Sequence, residues 1–262
     1  IRKKVTKKCN VAATVKANAY GLGINQIARK LIKTGCKFFF VATTTEAIEL
    51  RKINKKISIF ILNGLVSRDL RVLRNNNLIP VINSLEQLKR IENYQKIKKI
   101  KMNIAIHFDT GMSRLGLDLK ETNLLIKNKK NLILNSKVLL VMSHLSCADN
   151  KKSKNNLMQL KKFKSIIKNF PNTMHSLSNS AGVLLGQDYH FDMVRPGISL
   201  FGGHCSINEK NIYENVVSLK AKLIQVREIN KNDTIGYGAT FKAKTKMKIG
   251  TLGFGYADGF NR

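Results

Sequence analysis

Lys16 closes an alternating apolar run, and Ala17, Asn18, Ala19, Tyr20, Gly21, Leu22 and Gly23 then turn the chain into a helical pattern. A lysine at the end of a strand can be held by packing and partly desolvated. That lowers its pKa and lets its amine form a Schiff base with an aldehyde cofactor, of which pyridoxal phosphate is the usual one. Taken alone, Lys16 reads equally well as one more lysine in a lysine-rich chain. Further along stand other groups that could do chemistry: Asp109, Thr110 and Arg114 after one apolar run, His144 at the end of another, and Asn179, Ser180, Arg195, Gly197 and Ile198 after two more. The segment at 179–182 offers a hydroxyl and free backbone N–H groups. Gly197 allows close backbone approach at 196–198, so the two segments together could bind a phosphate. Each segment by itself is also ordinary turn and capping chemistry.

The elements that must position these groups follow from periodicity. Short apolar, β-branched or aromatic runs at 11–16, 38–43, 58–62, 79–82, 102–108, 138–144, 174–177 and 191–194 read as strands. Amphipathic helical patterns at 24–34, 45–54, 70–75, 85–98, 121–127 and 157–169 separate most of them, and the interval before Phe191 is too short for a clear helix. Eight strands with intervening helices predict an α/β fold, a (β/α)8 TIM barrel, whose strand C-terminal ends carry the reactive groups. From Val216 onward glycines at 236, 238, 250, 253, 255 and 259 punctuate strand-like runs. We therefore expect a barrel over 1–211 and the beginning of a β-rich C-terminal domain over 212–262.

Composition bounds the class. A chain of 262 residues with 43% apolar content can bury a sizeable core. The four cysteines, Cys9, Cys36, Cys147 and Cys205, form no close pair, which argues against a disulfide framework or metal cluster and for a reducing cytoplasm. His107, His175, His190 and His204 lack metal-ligand spacing, so no metal is expected. No uninterrupted apolar run approaches the roughly 18 residues of a membrane helix. The net charge of +31 would ordinarily suggest nucleic acid. However, the lysines alternate with apolar residues at helical spacing and read as solvated faces, so no specific nucleic-acid partner is expected.

The segments beginning at Val15, His107, Ser143, Ser176, Val194, Gly236 and Gly255 (VKANAYGLG, HFDTGMSRLG, SHLSCAD, SLSNSAG, VRPGISLFG, GYGATF and GYADGF) closely resemble, in order and interval, those of bacterial alanine racemases. The resemblance runs from about Val11 to Arg262. It implies a barrel that binds pyridoxal 5'-phosphate and a β domain, paired head to tail in a homodimer whose active sites are shared between protomers. Lys16 would hold the cofactor covalently and, once displaced by substrate, act as the base on the D face, and Tyr237 of the partner subunit would act on the L face. Arg195 would bond the pyridine nitrogen, with His144 bridging from Arg195 toward the partner subunit's Tyr237. Asn179 would contact the cofactor, Tyr20, Ser180, Gly197 and Ile198 would hold its phosphate, and Arg114 would position the substrate carboxylate. Tyr256 of the partner subunit would line the substrate entrance. The implied reaction is interconversion of L-alanine and D-alanine, feeding peptidoglycan synthesis.

Two bases on opposite faces suit racemisation, which removes and returns one Cα proton. Lysine and tyrosine start near pKa 10, so holding either as a free base near pH 7 costs about 4 kcal/mol, which nearby positive charge can offset. An arginine on the pyridine nitrogen leaves the ring unprotonated and a weaker electron sink, restraining side reactions.

The chain departs from the family at three positions. His107 stands where many members carry a lysine, in some of them carbamylated, that braces the arginine matching Arg114. Leu22 and Phe201 replace a frequent histidine and tyrosine. Family chains also continue past the final motif, and this sequence starts at Ile1, so both ends are expected to be missing and a 262-residue polypeptide to be unstable or poorly active. The rival readings are a racemase of another small amino acid, a barrel-type amino-acid decarboxylase, a non-catalytic cofactor-binding protein and a basic nucleic-acid-binding protein.

Overall fold

A computed structural model describes residues 1–65, 70–207 and 209–260. The chain divides into two compact units, Ile1–Asn215 and Val216–Arg262.

In the first unit the strands are β1 (Asn10–Val11), β2 (Ala13–Thr14), β3 (Phe38–Val41), β4 (Ser58–Ile61), β5 (Ile79–Ile82), β6 (Met102–His107), β7 (Ser136–Met142), β8 (Met174–Ser176) and β9 (Met193–Val194). A seven-stranded sheet runs in sequence order from β2 to β8, with every pairing parallel. The ring closes through β9. It pairs in parallel with β1, and the register continues past it as Ala12 N donates to Val194 O (2.9 Å) and Thr14 N to Pro196 O (2.9 Å). On its other side, Asp192 N donates to His175 O (3.1 Å) and Arg195 N to Ser178 O (2.9 Å). Residues 10–14 thus act as one strand, interrupted at Ala12, that follows β9 and its continuation on one side and pairs with β3 on the other through its second half. The result is the eight-position barrel expected from the alternating pattern.

Side-chain alternation fills that barrel on the inside and covers it on the outside. Ala12, Phe40, Phe60, Ile79, Val81, Ala105, Leu140, Met142 and Met193 form one cluster, drawn from nearly every strand. Their sequence neighbours Phe39, Ile59, Ile61, Ile82, Ile104, Ile106 and Val141 belong to a second cluster that includes helix residues such as Ala47, Leu88, Ile91 and Phe163. Phe40 and Phe60 stack with centroids 4.6 Å apart at the barrel centre. A packed plug of this kind leaves the strand C-terminal ends as the place for a ligand.

The covering helices include Ile24–Lys33, Thr44–Ile53, Leu85–Lys98, Leu119–Lys127 and Lys154–Ile167. Their starts are set by side chains. Thr43 forms a capping box with Glu46, Ser84 accepts from Gln87 N (3.2 Å) and Asp118 from Glu121 N (2.8 Å). After β8 the chain makes only two 3-10 turns, Gly182–Leu184 and Gln187–Tyr189, in the interval too short for a full helix.

The second unit is built from strand pairs. Leu223–Ile229 pairs antiparallel with Met247–Leu252, and Thr234–Ile235 with Phe241–Lys242. Ile229 and Ala243 are buried, whereas Leu223, Ile224, Val226, Phe241 and Leu252 are exposed, as expected of a segment this short. Among the described residues no helix is long and apolar enough to cross a membrane.

Candidate active site

A cavity of about 540 Å³ opens at the C-terminal ends of the barrel strands. Lys16, Tyr20, Arg114, His144, Asn179, Ser180, Arg195, Gly197 and Ile198 all line it, with His107, Asp149 and Cys205 among the further wall residues. Tyr237 and Tyr256 lie in the second unit, on 3-10 turns, and are 86% and 73% exposed.

Lys16 leads into a turn that ordinary propensity disfavours. Ala17, Asn18, Ala19 and Tyr20 have φ of 52°, 52°, 55° and 58°, four consecutive left-handed residues without a glycine. Such a conformation costs about 1–2 kcal/mol per residue, so neighbours must hold it. Glu46 does so from the helix after β3. One of its carboxylate oxygens accepts from Ala17 N (2.6 Å) and the other from Ala42 N (2.7 Å). Asn18 Oδ1 accepts from Ile24 N (2.8 Å), tying the turn to the next helix. The turn sets Lys16 and Tyr20 on the cavity wall, and the Tyr20 ring packs on Phe201 at 5.3 Å.

One end of the cavity is shaped for an oxyanion. The Ser180 hydroxyl oxygen accepts from Gly197 N (2.9 Å) and Ser199 N (3.3 Å), which leaves its own proton to donate outward. A Cβ on Gly197 would lie 2.1 Å from the Tyr20 hydroxyl. Gly197→Ala is therefore expected to push the Tyr20 hydroxyl out of this cradle. By calorimetry it should weaken phosphate-ligand binding about tenfold, the loss of one hydrogen bond to a charged group. Unchanged affinity would mean that the cradle binds elsewhere.

Arg195, buried at 4% exposure, supplies the cation at the cavity wall. Its guanidinium donates to Ser176 Oγ, Ser143 O (2.5 Å) and His144 Nδ1 (3.4 Å), and it lies 5.9 Å from the Phe40 ring centroid. Burial lowers its pKa to about 9, so it stays charged at neutral pH. Arg114 sits on an exposed loop that Asp109 organises by accepting from Gly111 N (2.8 Å), Met112 N (2.9 Å) and Ser113 N (3.0 Å). Burial opposes the Asp109 charge, but these backbone donors outweigh it and hold the carboxyl below its usual range. The loop folds back on the strand end, with Leu117 N donating to His107 O (2.8 Å) and Asp109 N to Leu117 O (2.9 Å).

Two of the cavity histidines, His107 and His144, are neutral. Burial, followed by the charge of Arg195, drives His107 to about 3 and His144 well below the ordinary value. Each therefore takes up a proton on unfolding once the pH falls below about 6.5, so stability is full above that value and is lost as pH falls toward 3. For two such groups the loss between pH 7.5 and 5.5 is about 2–3 kcal/mol. Urea midpoints at the two pH values should differ accordingly, with His107→Gln removing about half of the difference. Equal midpoints would contradict it.

Sequence reasoning passed over Asn83, which follows the fully buried strand β5 and contacts His107, and Gln159. Gln159 donates to His144 O (2.8 Å) and Thr110 Oγ1 (3.2 Å) and accepts from Ser146 N (2.9 Å). An amide directly after an apolar strand, and one on the inner face of an amphipathic helix, were the available signals. Among the described residues no group of three or more His, Cys, Asp or Glu could hold a metal ion.

Known proteins agree with this architecture. The family model for the alanine racemase N-terminal domain matches residues 1–205, and that for the C-terminal domain residues 216–262. The chain is 43% identical to the alanine racemase of Rickettsia bellii over 98% of its own length and 63% of the relative's. It is 41% identical to that of Rickettsia akari, over 98% and 71%. The chain thus spans under two thirds of the first of these relatives. Among solved structures, alanine racemase from Bartonella henselae with covalently bound pyridoxal phosphate aligns at a TM-score of 0.93 and 34% identity, covering 100% of this chain and 72% of that one. Biosynthetic alanine racemase from Pseudomonas aeruginosa aligns at 0.91 and 30%, over the same shares. With both family models matched in order over nearly the whole sequence, this chain belongs to the alanine racemase family.

Proposed function

We propose that this protein is an isomerase that uses pyridoxal phosphate to interconvert L-alanine and D-alanine by a two-base route. The observation that carries the proposal is the placing of Lys16, on a turn held against its own propensity, in one cavity with an oxyanion cradle and a buried arginine. The residues present fit the cofactor. Gly197 leaves room that a Cβ would fill, Ser180 keeps a proton to donate, and Arg195 offers a permanent cation. When bound, the cofactor supplies an aldehyde for the Lys16 amine and an electron sink for the carbanion left when Cα loses its proton.

This chain's own residues do the rest. Ser180, Tyr20, Gly197 and Ile198 hold the phosphate, with Asn179 beside them. Arg195 would bond the pyridine nitrogen and, keeping its own proton at neutral pH, would leave that nitrogen unprotonated. Arg114 fixes the substrate carboxylate. Once the substrate amine has displaced it from the aldehyde, Lys16 Nζ would take or return the Cα proton on one face, and the Tyr237 hydroxyl of the partner subunit would do so on the other. His144, neutral and bonded to Arg195, bridges toward that tyrosine. Tyr237 and Tyr256 are presented on exposed turns, which suits a role in a second copy's site in a head-to-tail dimer. In this reading 1–211 forms the cofactor-binding barrel and 212–262 the partner-facing β region. The setting is the cytoplasm and the D-alanine serves peptidoglycan synthesis.

The test is to load the intact protein with pyridoxal phosphate, record its visible spectrum and follow L-alanine by chiral chromatography. An absorbing, covalently attached cofactor and conversion to D-alanine are expected. Turnover of another small amino acid with no alanine conversion would move the substrate assignment. A colourless protein would overturn the cofactor assignment.

A further inference from the structure

The positive charge of the barrel is not spread evenly along its axis. In the sector of β6 and β7 no Asp or Glu occurs at 93–108 or 122–148. Asp109, Asp118 and Glu121 fall on the strand C-terminal side, after β6 and at the start of the Leu119–Lys127 helix. Lysines gather at the opposite end, where the Leu85–Lys98 helix runs out into β6 and the 128–135 segment leads into β7. Lys96, Lys98, Lys99, Lys101, Lys130 and Lys137 are all exposed there. Among the described residues none of the six belongs to an ion pair.

Hydrogen bonds bring these segments together. Gln95, fully buried near the end of its helix, accepts from Met102 N at the start of β6 and donates to Ser136 Oγ (2.6 Å) at the start of β7. The register pairs Met102 with Ser136 and Asn103 with Lys137, so Lys101 and Lys137 stand close together on neighbouring chains. Glu92 is the nearest acid. Its carboxylate is taken up by Leu134 N (3.3 Å), Asn135 N (2.9 Å) and Ser136 N (3.1 Å). The helix C-terminus adds roughly half a negative charge, and six lysines outweigh both. The Glu92 anchor also fixes Leu134 against the helix that carries Ile97. These two side chains are 64% and 75% exposed. Single exposed aliphatics are ordinary, but two held in water among charges of one sign match the makeup of a membrane-interface segment.

Composition selects among anionic partners. Nucleic acid is held largely by arginine and by aromatic side chains that stack on bases. Segments 93–101 and 128–137 contain no arginine, and their one aromatic residue, Tyr94, is half-buried against the core. Lysines with aliphatic side chains between them suit lipid, whose headgroups offer diffuse negative charge and whose acyl boundary accepts apolar groups. We propose that this end of the barrel, through its lysines with Ile97 and Leu134, docks peripherally on an anionic lipid bilayer. The six residues of β6 span about 20 Å, so the docking face lies at the far end of the strands from the cavity and does not cover it.

Flotation of the intact protein with vesicles of phosphatidylglycerol and phosphatidylcholine in equal parts, and with phosphatidylcholine alone, tests this. Binding to the first and not to the second is expected, falling steeply between about 0.1 and 1 M salt as the screening length drops from about 10 to 3 Å. Lys98→Gln with Lys101→Gln should weaken it about 25-fold, a factor of about five for each lysine near the surface. Ile97→Ser with Leu134→Ser should weaken it at least about tenfold. Arg29→Gln with Lys30→Gln, on the helix after β2 in another sector, should change it by no more than about twofold. All six side chains are exposed, so unfolding midpoints should stay at the wild-type value. Equal weakening by the Arg29 and Lys30 pair would assign the binding to overall charge and overturn the proposal. No vesicle binding, equal binding to both vesicles, or indifference to the Ile97 and Leu134 pair would also overturn it. Tighter binding to oligouridylate than to the anionic vesicles, lost in the Lys98 and Lys101 pair, would make this a nucleic-acid surface instead. None of these outcomes depends on alanine conversion.

Discussion

Lys16→Ala should abolish alanine racemisation, lowering kcat/KM by at least about 10³-fold, and should remove covalent cofactor attachment. The size follows from the two roles proposed for one amine, the covalent link to the aldehyde and a general base worth about 10²–10⁴-fold alone. The fold should survive. The turn is held by Glu46 through Ala17 N and by Asn18 through Ile24 N, none of which involves the Lys16 side chain. Unchanged far-ultraviolet circular dichroism, loss of the visible band after dialysis and partial rescue by added methylamine are the expected readings. Residual activity above about a tenth of wild type would remove Lys16 from both roles.

Arg195→Leu should separate stability from activity. A buried guanidinium without a carboxylate among its hydrogen-bond partners carries a desolvation cost, visible in its lowered pKa. Leucine removes that cost but leaves Ser143 O without this donor, at about 1–3 kcal/mol. The two changes oppose one another, so the unfolding free energy should move by no more than about 2 kcal/mol. Racemisation should fall about 100-fold, because the cation proposed to bond the cofactor ring and the partner of His144 Nδ1 are both lost. Denaturant unfolding and steady-state kinetics on one preparation check both halves. A variant that is equally active, or that is strongly unfolded, would show that Arg195 serves the barrel rather than the reaction.

Much of this site was legible because barrel chemistry gathers at strand C-terminal ends. A lysine, a histidine and an arginine closing alternating runs could be placed on one rim before any coordinates. What stayed hidden was non-local. The left-handed turn after Lys16 contradicts the propensity of two alanines, and its stabiliser, Glu46, lies 29 residues away on another element. The break of the first strand at Ala12 depends on pairing with the last strand, more than 180 residues on, where hydrophobic alternation carries no register information. Asn83 reads as an ordinary polar residue after a strand. Only the structure shows its amide oxygen 2.8 Å from His107 Nδ1 while its Nδ2 donates to Leu62 O and Val81 O.

The most direct test of the two-base account is proton exchange at Cα in D2O, followed by NMR from each enantiomer separately with the loaded intact protein. The account predicts deuterium entering Cα of both L- and D-alanine in wild type, and its loss from D-alanine in Lys16→Ala. Tyr237→Phe should retain exchange into D-alanine while losing conversion between enantiomers. Racemisation that persists in Tyr237→Phe at the wild-type rate, or exchange into D-alanine that survives in Lys16→Ala, would contradict the account.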